Sequence, residues 1–321
     1  MLSLHDTTVI IGNGRRLAVA GDEALLSRLP KGDWIGGTIP YFMAEEGGRV
    51  TRDLLYVHDL TDQTLGATIR SHDAADLPGI NEGAPEHGFS ILIIPANSEA
   101  HIAYAQDAPN YPSSFMKPIL GWISGVHLED LGRVSPKVFD GSTGEVSDKK
   151  AVVMHLPIEQ EKNAIVKILN LFKQGGGDVI AFREEGFRVK DCLINGVERN
   201  LAEYLVENKI DTRLPLVANY CGAMINVSFQ GVHEVEGLVD LYAPVFKDVE
   251  YKIADPVANY IEGFKKALPK DASPVFACNC ILNFLYSELE GQVVEKMCGP
   301  VTFGEIAYQL LNQTLVYLEI C

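Results

Sequence analysis

Two cysteines stand two residues apart in "FACNC", at 278 and 280, where an apolar run ends. On a strand, residues i and i+2 point to one face, so both thiols would line the same surface. The stretch "ILNFLYSELEG" that follows reads as a short helix, and a thiol at its start could be activated as a nucleophile. Against that, free cysteine is among the most buried residue types and usually packs. No second Cys/His pair lies nearby to complete a closed zinc site. Cys278 is a candidate pocket wall before it is a candidate nucleophile.

Glu305 follows Gly304 at a tight turn beside a strand end. Its carboxylate could recognise an amine or accept backbone N–H bonds within the turn. His58 in "YVHDL" and His155 in "VMHLP" end comparable strands, where two imidazoles could serve a metal or a haem. A histidine at a strand end more often completes a hydrogen-bond network. His127 and His233 lie in polar loops and raise the same possibility. Motifs for other chemistry fall short. Gly141-Ser142-Thr143-Gly144 is one residue short of a nucleophile elbow. Gly12-x-Gly14 lacks the third glycine of a dinucleotide fingerprint, and the triple glycine at 175–177 is followed by Asp178, with no phosphate-loop lysine. No enzyme class is argued for by these patterns.

The elements that must position these groups are β-rich. The chain of 321 residues is 47% hydrophobic and 22% charged, an ordinary globular balance. Its net charge of −16, with no basic run, disfavours nucleic acid and anionic lipid as partners. Apolar runs such as "FSILIIPA" are strand length and too short to cross a bilayer, so no membrane insertion is expected. The start "MLSLHDTTVII" has no signal-peptide pattern, and six cysteines without framework spacing suit reduced thiols; both point to the cytoplasm.

A strand–glycine turn–polar loop–strand pattern occurs three times, over 33–60, 117–158 and 299–321, with Gly37, Gly125 and Gly304 in matching places. It suggests an α+β fold of two related halves, 1–157 and 158–321. Mixed, largely antiparallel sheets would carry helices on their outer faces. Asn13-Gly14 between apolar runs predicts a hairpin. Asp22 predicts the cap of a short helix. Ile165, Ile168, Leu169 and Phe172 share the spacing of one helix face. A helix is expected over Val197–Glu207, and Val257, Ile261, Phe264 and Leu268 mark another.

The segment from Pro274 to Ile320 resembles the C-terminal half of FIST domains, in which a strand ending in Cys precedes a helix, an apolar strand, Gly-Glu and a final strand. Cys278 matches the family cysteine, and Gly304-Glu305-Ile306 the Gly-Glu turn. Gly36, Gly37 and Thr38 resemble the glycine turn of the N-terminal half. Asn279, Cys280 and Ile281 stand where a Gly-Arg pair usually follows the cysteine, so the chain would be a divergent member. The resemblance implies a cytoplasmic, non-catalytic sensory protein for a small, amino acid-like molecule. It would signal through a separate partner protein, because no output domain remains in the chain. The implied ligand pocket comprises Gly36, Gly37, Thr38, Cys278, Gly304 and Glu305, where small residues let a ligand approach the backbone. No cofactor is required by the sequence. The alternatives are a haem or metal sensor using His58 or His155, and a thiol enzyme using Cys278.

Overall fold

Parallel strand pairs joined by a helix recur along the chain, and the sheets grow outward from them. The computed structural model describes residues 1–294 and 296–321, and every count below is of these residues. They form two compact units: Met1–Leu169 with Leu268–Leu310 and Leu315–Cys321, and Asn170–Ala267 with Leu311–Thr314. The compact units thus do not part near Pro157. The second is an insertion between elements of the first.

Helix α1 (Leu4–Gly12) leads into β1 (Leu17–Gly21), α2 (Glu23–Leu26), β2 (Trp34–Thr38), the hairpin β3 (Tyr41–Ala44) and β4 (Gly47–Val50), and β5 (Tyr56–Asp59). Next come β6 (Thr68–His72), β7 (Gly88–Pro95), α3 (Glu99–Asp107), β8 (Ile119–Ser124), β9 (Val138–Asp140), β10 (Glu145–Ser147), β11 (Ala151–Pro157) and β12 (Ala164–Leu169). The second unit holds β13 (Ile180–Ala181), β14 (Gly186–Val189), β15 (Asp191–Ile194), β16 (Val197–Asn200), α4 (Leu201–Glu207), β17 (Leu216–Tyr220), β18 (Ala223–Val227), β19 (Phe229–His233), β20 (Leu238–Val245), β21 (Glu250–Ile253) and α5 (Tyr260–Ala267). The chain closes with β22 (Phe276–Cys280), α6 (Ile281–Tyr286), β23 (Gly299–Thr302), β24 (Glu305–Ala307), β25 (Gln309–Leu311) and β26 (Leu315–Ile320).

In the first unit one plan repeats. β1 and β2, β7 and β8, and β22 and β23 are parallel pairs bridged by α2, α3 and α6. A later strand returns antiparallel beside the first of each pair: β5 on β1, β11 on β7, β26 on β22. The hairpin strand in between crosses to another sheet, β3 to β23, β9 to β2 and β24 to β8. Each repeat therefore lends a strand to a sheet built on a different repeat, which ties the three sheets into one body. The C-terminal hairpin of the sequence is the third such loan. The internal relationship runs through three units, one of them split by the insertion, instead of through two halves. Register aligns them: Thr38, Ser124 and Thr302 lie opposite Gly21, Pro95 and Cys280 at the carboxyl end of each second strand.

The sheets are mixed near these pairs and antiparallel elsewhere, so the fold is α+β. Every residue of β7 and β8 is buried, as expected for strands covered on both faces. Trp122, fully buried, stacks on Phe276 with ring centroids 5.9 Å apart. In the second unit a six-stranded sheet, β16-β15-β13-β21-β17-β18, accompanies a three-stranded one, β14-β20-β19.

Two expected elements are overturned. Asn13-Gly14 does not turn a hairpin; it ends α1. Ser3 accepts from Asp6 N–H at the helix start, and Gly14, at φ 72°, donates its N–H to Ile11 O at 2.9 Å. A left-handed glycine suits a helix C-terminus as well as a hairpin. The segment expected as a helix from Ile165 onward is instead β12, paired antiparallel with β26. Three of its six residues are β-branched, and pairing outweighed the helical spacing. The helix expected over Val197–Glu207 begins only at Leu201, after β16. The Asp22-capped helix and the strand-to-helix step at Cys280 form as expected, and α5 takes in Ile261 and Phe264 but leaves Val257 and Leu268 outside.

Candidate functional site

At the carboxyl end of β2 the chain is held from two sides. Thr38 O accepts from Gly125 N–H at 2.7 Å, and Thr38 N–H donates to Lys137 O at 2.9 Å. The Thr38 hydroxyl oxygen also accepts from Lys137 N–H at 2.9 Å. Gly125 is required there, because a β-carbon would lie 2.4 Å from the Phe303 ring. These bonds join the ends of β2 and β8 and leave a cleft of about 410 Å³ beside them. Its floor is Thr38, Ile39, Pro40, Gly125 and Val126, and its rim carries Asp22, Glu23, Arg52, His127 and Asp130. The carboxyl ends of parallel strands are where α/β sheets commonly take ligands.

The rim carries both signs of charge, most of it in ion pairs. The Arg52 guanidinium donates to Asp130 Oδ2 at 2.6 Å, and that bond raises its already high pKa. Glu23 is held by the ammonium of Lys137. Asp22 caps α2 through Oδ1, which accepts from Ala24 N–H at 3.0 Å, and it makes no ion pair among the described residues. His127 stacks on Tyr41 with centroids 5.6 Å apart. Its Nδ1 accepts from Glu129 N–H at 3.3 Å, which leaves Nε2 as the donor of the neutral ring. The Tyr41 hydroxyl accepts from Leu128 N–H at 3.0 Å and fixes that loop. The rim thus carries three carboxylates and one guanidinium, with Lys137 alongside, and Asp22 is the carboxylate outside these ion pairs.

Of the six residues expected to line a pocket, Thr38 alone lines this cleft. Four others gather around β8 in the core. Gly37 lies beneath Trp122, and Cys278 Sγ donates to Gly121 O at 3.3 Å. Gly304 O accepts from Ile123 N–H at 2.9 Å, and Glu305 is paired directly opposite Trp122. Gly36 faces the other way, toward Trp34 and Leu26. Cys278 and Glu305 are buried, at 1% and 0% exposure. Burial pushes the Cys278 thiol well above its ordinary range, and the nearby Glu305 and Cys280 push it further. A thiol held in its neutral form is a poor nucleophile.

His58 and His155 sit on β5 and β11, in different sheets. Burial lowers the His58 pKa to about 4, and its Nε2–H donates to Ala277 O at 3.2 Å. The His58 ring lies against Phe276, centroids 4.4 Å apart. Burial lowers His155 to about 4, with Arg70 and His72 adding to the effect; its Nδ1 shares a hydrogen bond with Ser90 Oγ at 2.8 Å. Among the described residues no group of three or more His, Cys, Asp or Glu is arranged to hold a metal ion. Arg52 and Asp130 were not anticipated. They lie in the polar loops of two of the recurring segments, 33–60 and 117–158, among other charged residues that do not reach the cleft.

No helix of the described residues is long and apolar enough to cross a membrane. No curated protein and no solved structure matches the chain. One family model spans nearly all of it, residues 2–321, and the chain belongs to that family of unknown function (DUF6976).

Proposed function

We propose that this chain is a non-catalytic binding protein for a small zwitterionic molecule of amino acid type, seated in the cleft at the ends of β2 and β8. The observation that carries the reading is the rim: Arg52 can take a carboxylate while Asp22 and Asp130 face an amine across a floor of backbone and small side chains. A ligand carboxylate would compete with Asp130 for the guanidinium, which frees Asp130 for the amine and couples the two contacts. The FIST-like segments add the sensory role. Occupancy would be relayed in the cytoplasm to a separate signalling protein, through the loop that carries His127 and Asp130.

The test is calorimetric titration of the purified chain with each common amino acid, beside its decarboxylated amine and its deaminated acid. The reading expects at least one amino acid to bind and both truncated forms to bind more weakly. Arg52→Ala should weaken the amino acid about tenfold or more. Equal binding of the amine and the amino acid would remove Arg52 from the role.

A further inference from the structure

The three sheets of the first unit end in six edge strands: β10 and β5, β25 and β6, β12 and β4. Exposed edges invite pairing with other chains, and folded proteins usually blunt them. Five of these are blunted. β10 and β25 have three residues each, and β5 has four, ending in His58 and Asp59. β6 carries Arg70 and His72, and β4 opens with two glycines and is bridged to Glu290 at Gly48. β12 carries one such device, Lys167, and is the longest of the six edges. It runs for six residues, "AIVKIL", with one charge, no proline and no register shift in its pairing with β26.

Which backbone groups face outward follows from the ladder. Asn163 and Cys321 exchange both of their N–H···O bonds, at 2.6 and 3.1 Å. Hydrogen-bonded pairs alternate along an antiparallel ladder, so residues 165, 167 and 169 point at β26 and residues 164, 166 and 168 point away. The outward N–H and C=O groups of Ala164, Val166 and Ile168 have no hydrogen-bond partner among the described residues. Ile168 is 40% exposed, and Ile165 and Val166 are half-buried.

We propose that β12 is a docking edge for a second copy of this chain, whose own β12 adds antiparallel about a twofold axis at Val166. In that register Val166 faces its own counterpart, and Ala164 faces Ile168 of the second copy. About six hydrogen bonds close the seam. Lys167 falls opposite Ile165, so no like charges are directly opposed. The choice of a second copy rests on this self-complementarity and on charge. Two chains of net −16 repel over most of their surfaces, whereas the seam carries no carboxylate.

Sedimentation velocity over a dilution series tests the proposal. Wild type is expected to form a reversible two-chain species. Val166→Pro removes an N–H that faces outward, so β12 keeps its bonds to β26, and it should weaken association about thirtyfold or more. Ile168→Lys is the second variant, and should weaken association in proportion to falling salt. Hydrogen exchange should show the amides of 164, 166 and 168 protected at high concentration and open on dilution. A chain that stays single at every concentration, or a dimer unmoved by both variants, overturns the proposal. So does edge protection that requires a different protein. None of these outcomes bears on the cleft, because no cleft residue lies on β12.

Discussion

Replacing Gly37 with alanine adds a single methyl group at a crowded point between the first two sheets. The new β-carbon would lie 2.7 Å from Ile93 Cγ2, 2.8 Å from Trp122 Nε1 and 3.2 Å from Ser124 Cβ. Carbon atoms rest about 3.5–4.0 Å apart, so at least two neighbours must give way. Neither does so easily. Ile93 is β-branched and stiff, and Trp122 is fully buried and stacked on Phe276. Overpacking of this kind costs about 1–3 kcal/mol, while losing glycine's freedom in the unfolded chain returns roughly 0.4–1 kcal/mol. The net expectation is about 1.5 kcal/mol of lost stability, or a fall in Tm of about 3–6 °C for a unit of this size. Urea unfolding followed by tryptophan fluorescence reads it directly. Gly66→Ala is the control, since nothing lies within 4 Å of its added carbon. A Gly37→Ala protein as stable as wild type, with the control unchanged, would refute the packing argument.

His58 is neutral when folded, with its pKa lowered from 6.5 to about 4 by burial. The unfolded chain binds the extra proton first, so the His58 contribution is complete above pH 6.5 and is lost as pH falls toward 4. His101 and His155, lowered alike by burial, add to the fall in urea midpoint across that window; His58→Gln should remove about 2–3 kcal/mol of it, and an equal slope in the variant counts against the reasoning. Iodoacetamide should label the exposed thiols Cys221 and Cys321 well before Cys278 in the native chain, with peptide mapping as the readout. Early labelling of Cys278 would restore the thiol-enzyme reading. Arg52→Ala should leave the unfolding midpoint within about 0.5 kcal/mol of wild type, because its one ion pair is half exposed. A larger loss would mean the residue holds the fold and not a ligand.

The repeated hairpins were legible because glycines and alternating apolar residues recur in all three copies, but the glycines do not match in place: against the aligned Thr38, Ser124 and Thr302, Gly37 lies one residue before, Gly125 one after and Gly304 two after. The exchange of strands between sheets was not legible, since nothing local in "YFMA" or "VFD" says which sheet will accept it. Asn13-Gly14 misled because one dipeptide serves two turn chemistries, and only Ser3, ten residues earlier, declares the helix. β12 misled because "AIVKILNLF" satisfies a helical spacing and a strand composition together, and its partner β26 lies at the far end of the chain. The site was legible in part. Small residues marked where backbones approach closely, and around Gly37 the partner is a tryptophan of the core. Thr38 was found through its turn. Arg52 and Asp130 carry no local signal, because their meaning depends on loops that meet only once β2 and β8 are joined.

Native mass spectrometry of the chain as isolated, beside the same preparation denatured and beside Arg52→Ala, tests the ligand cleft most directly. The account predicts a stoichiometric excess mass of amino acid size on the native wild-type chain, absent after denaturation and reduced in Arg52→Ala. An excess retained in full by Arg52→Ala, or a native chain that stays bare after incubation with every common amino acid, would contradict it.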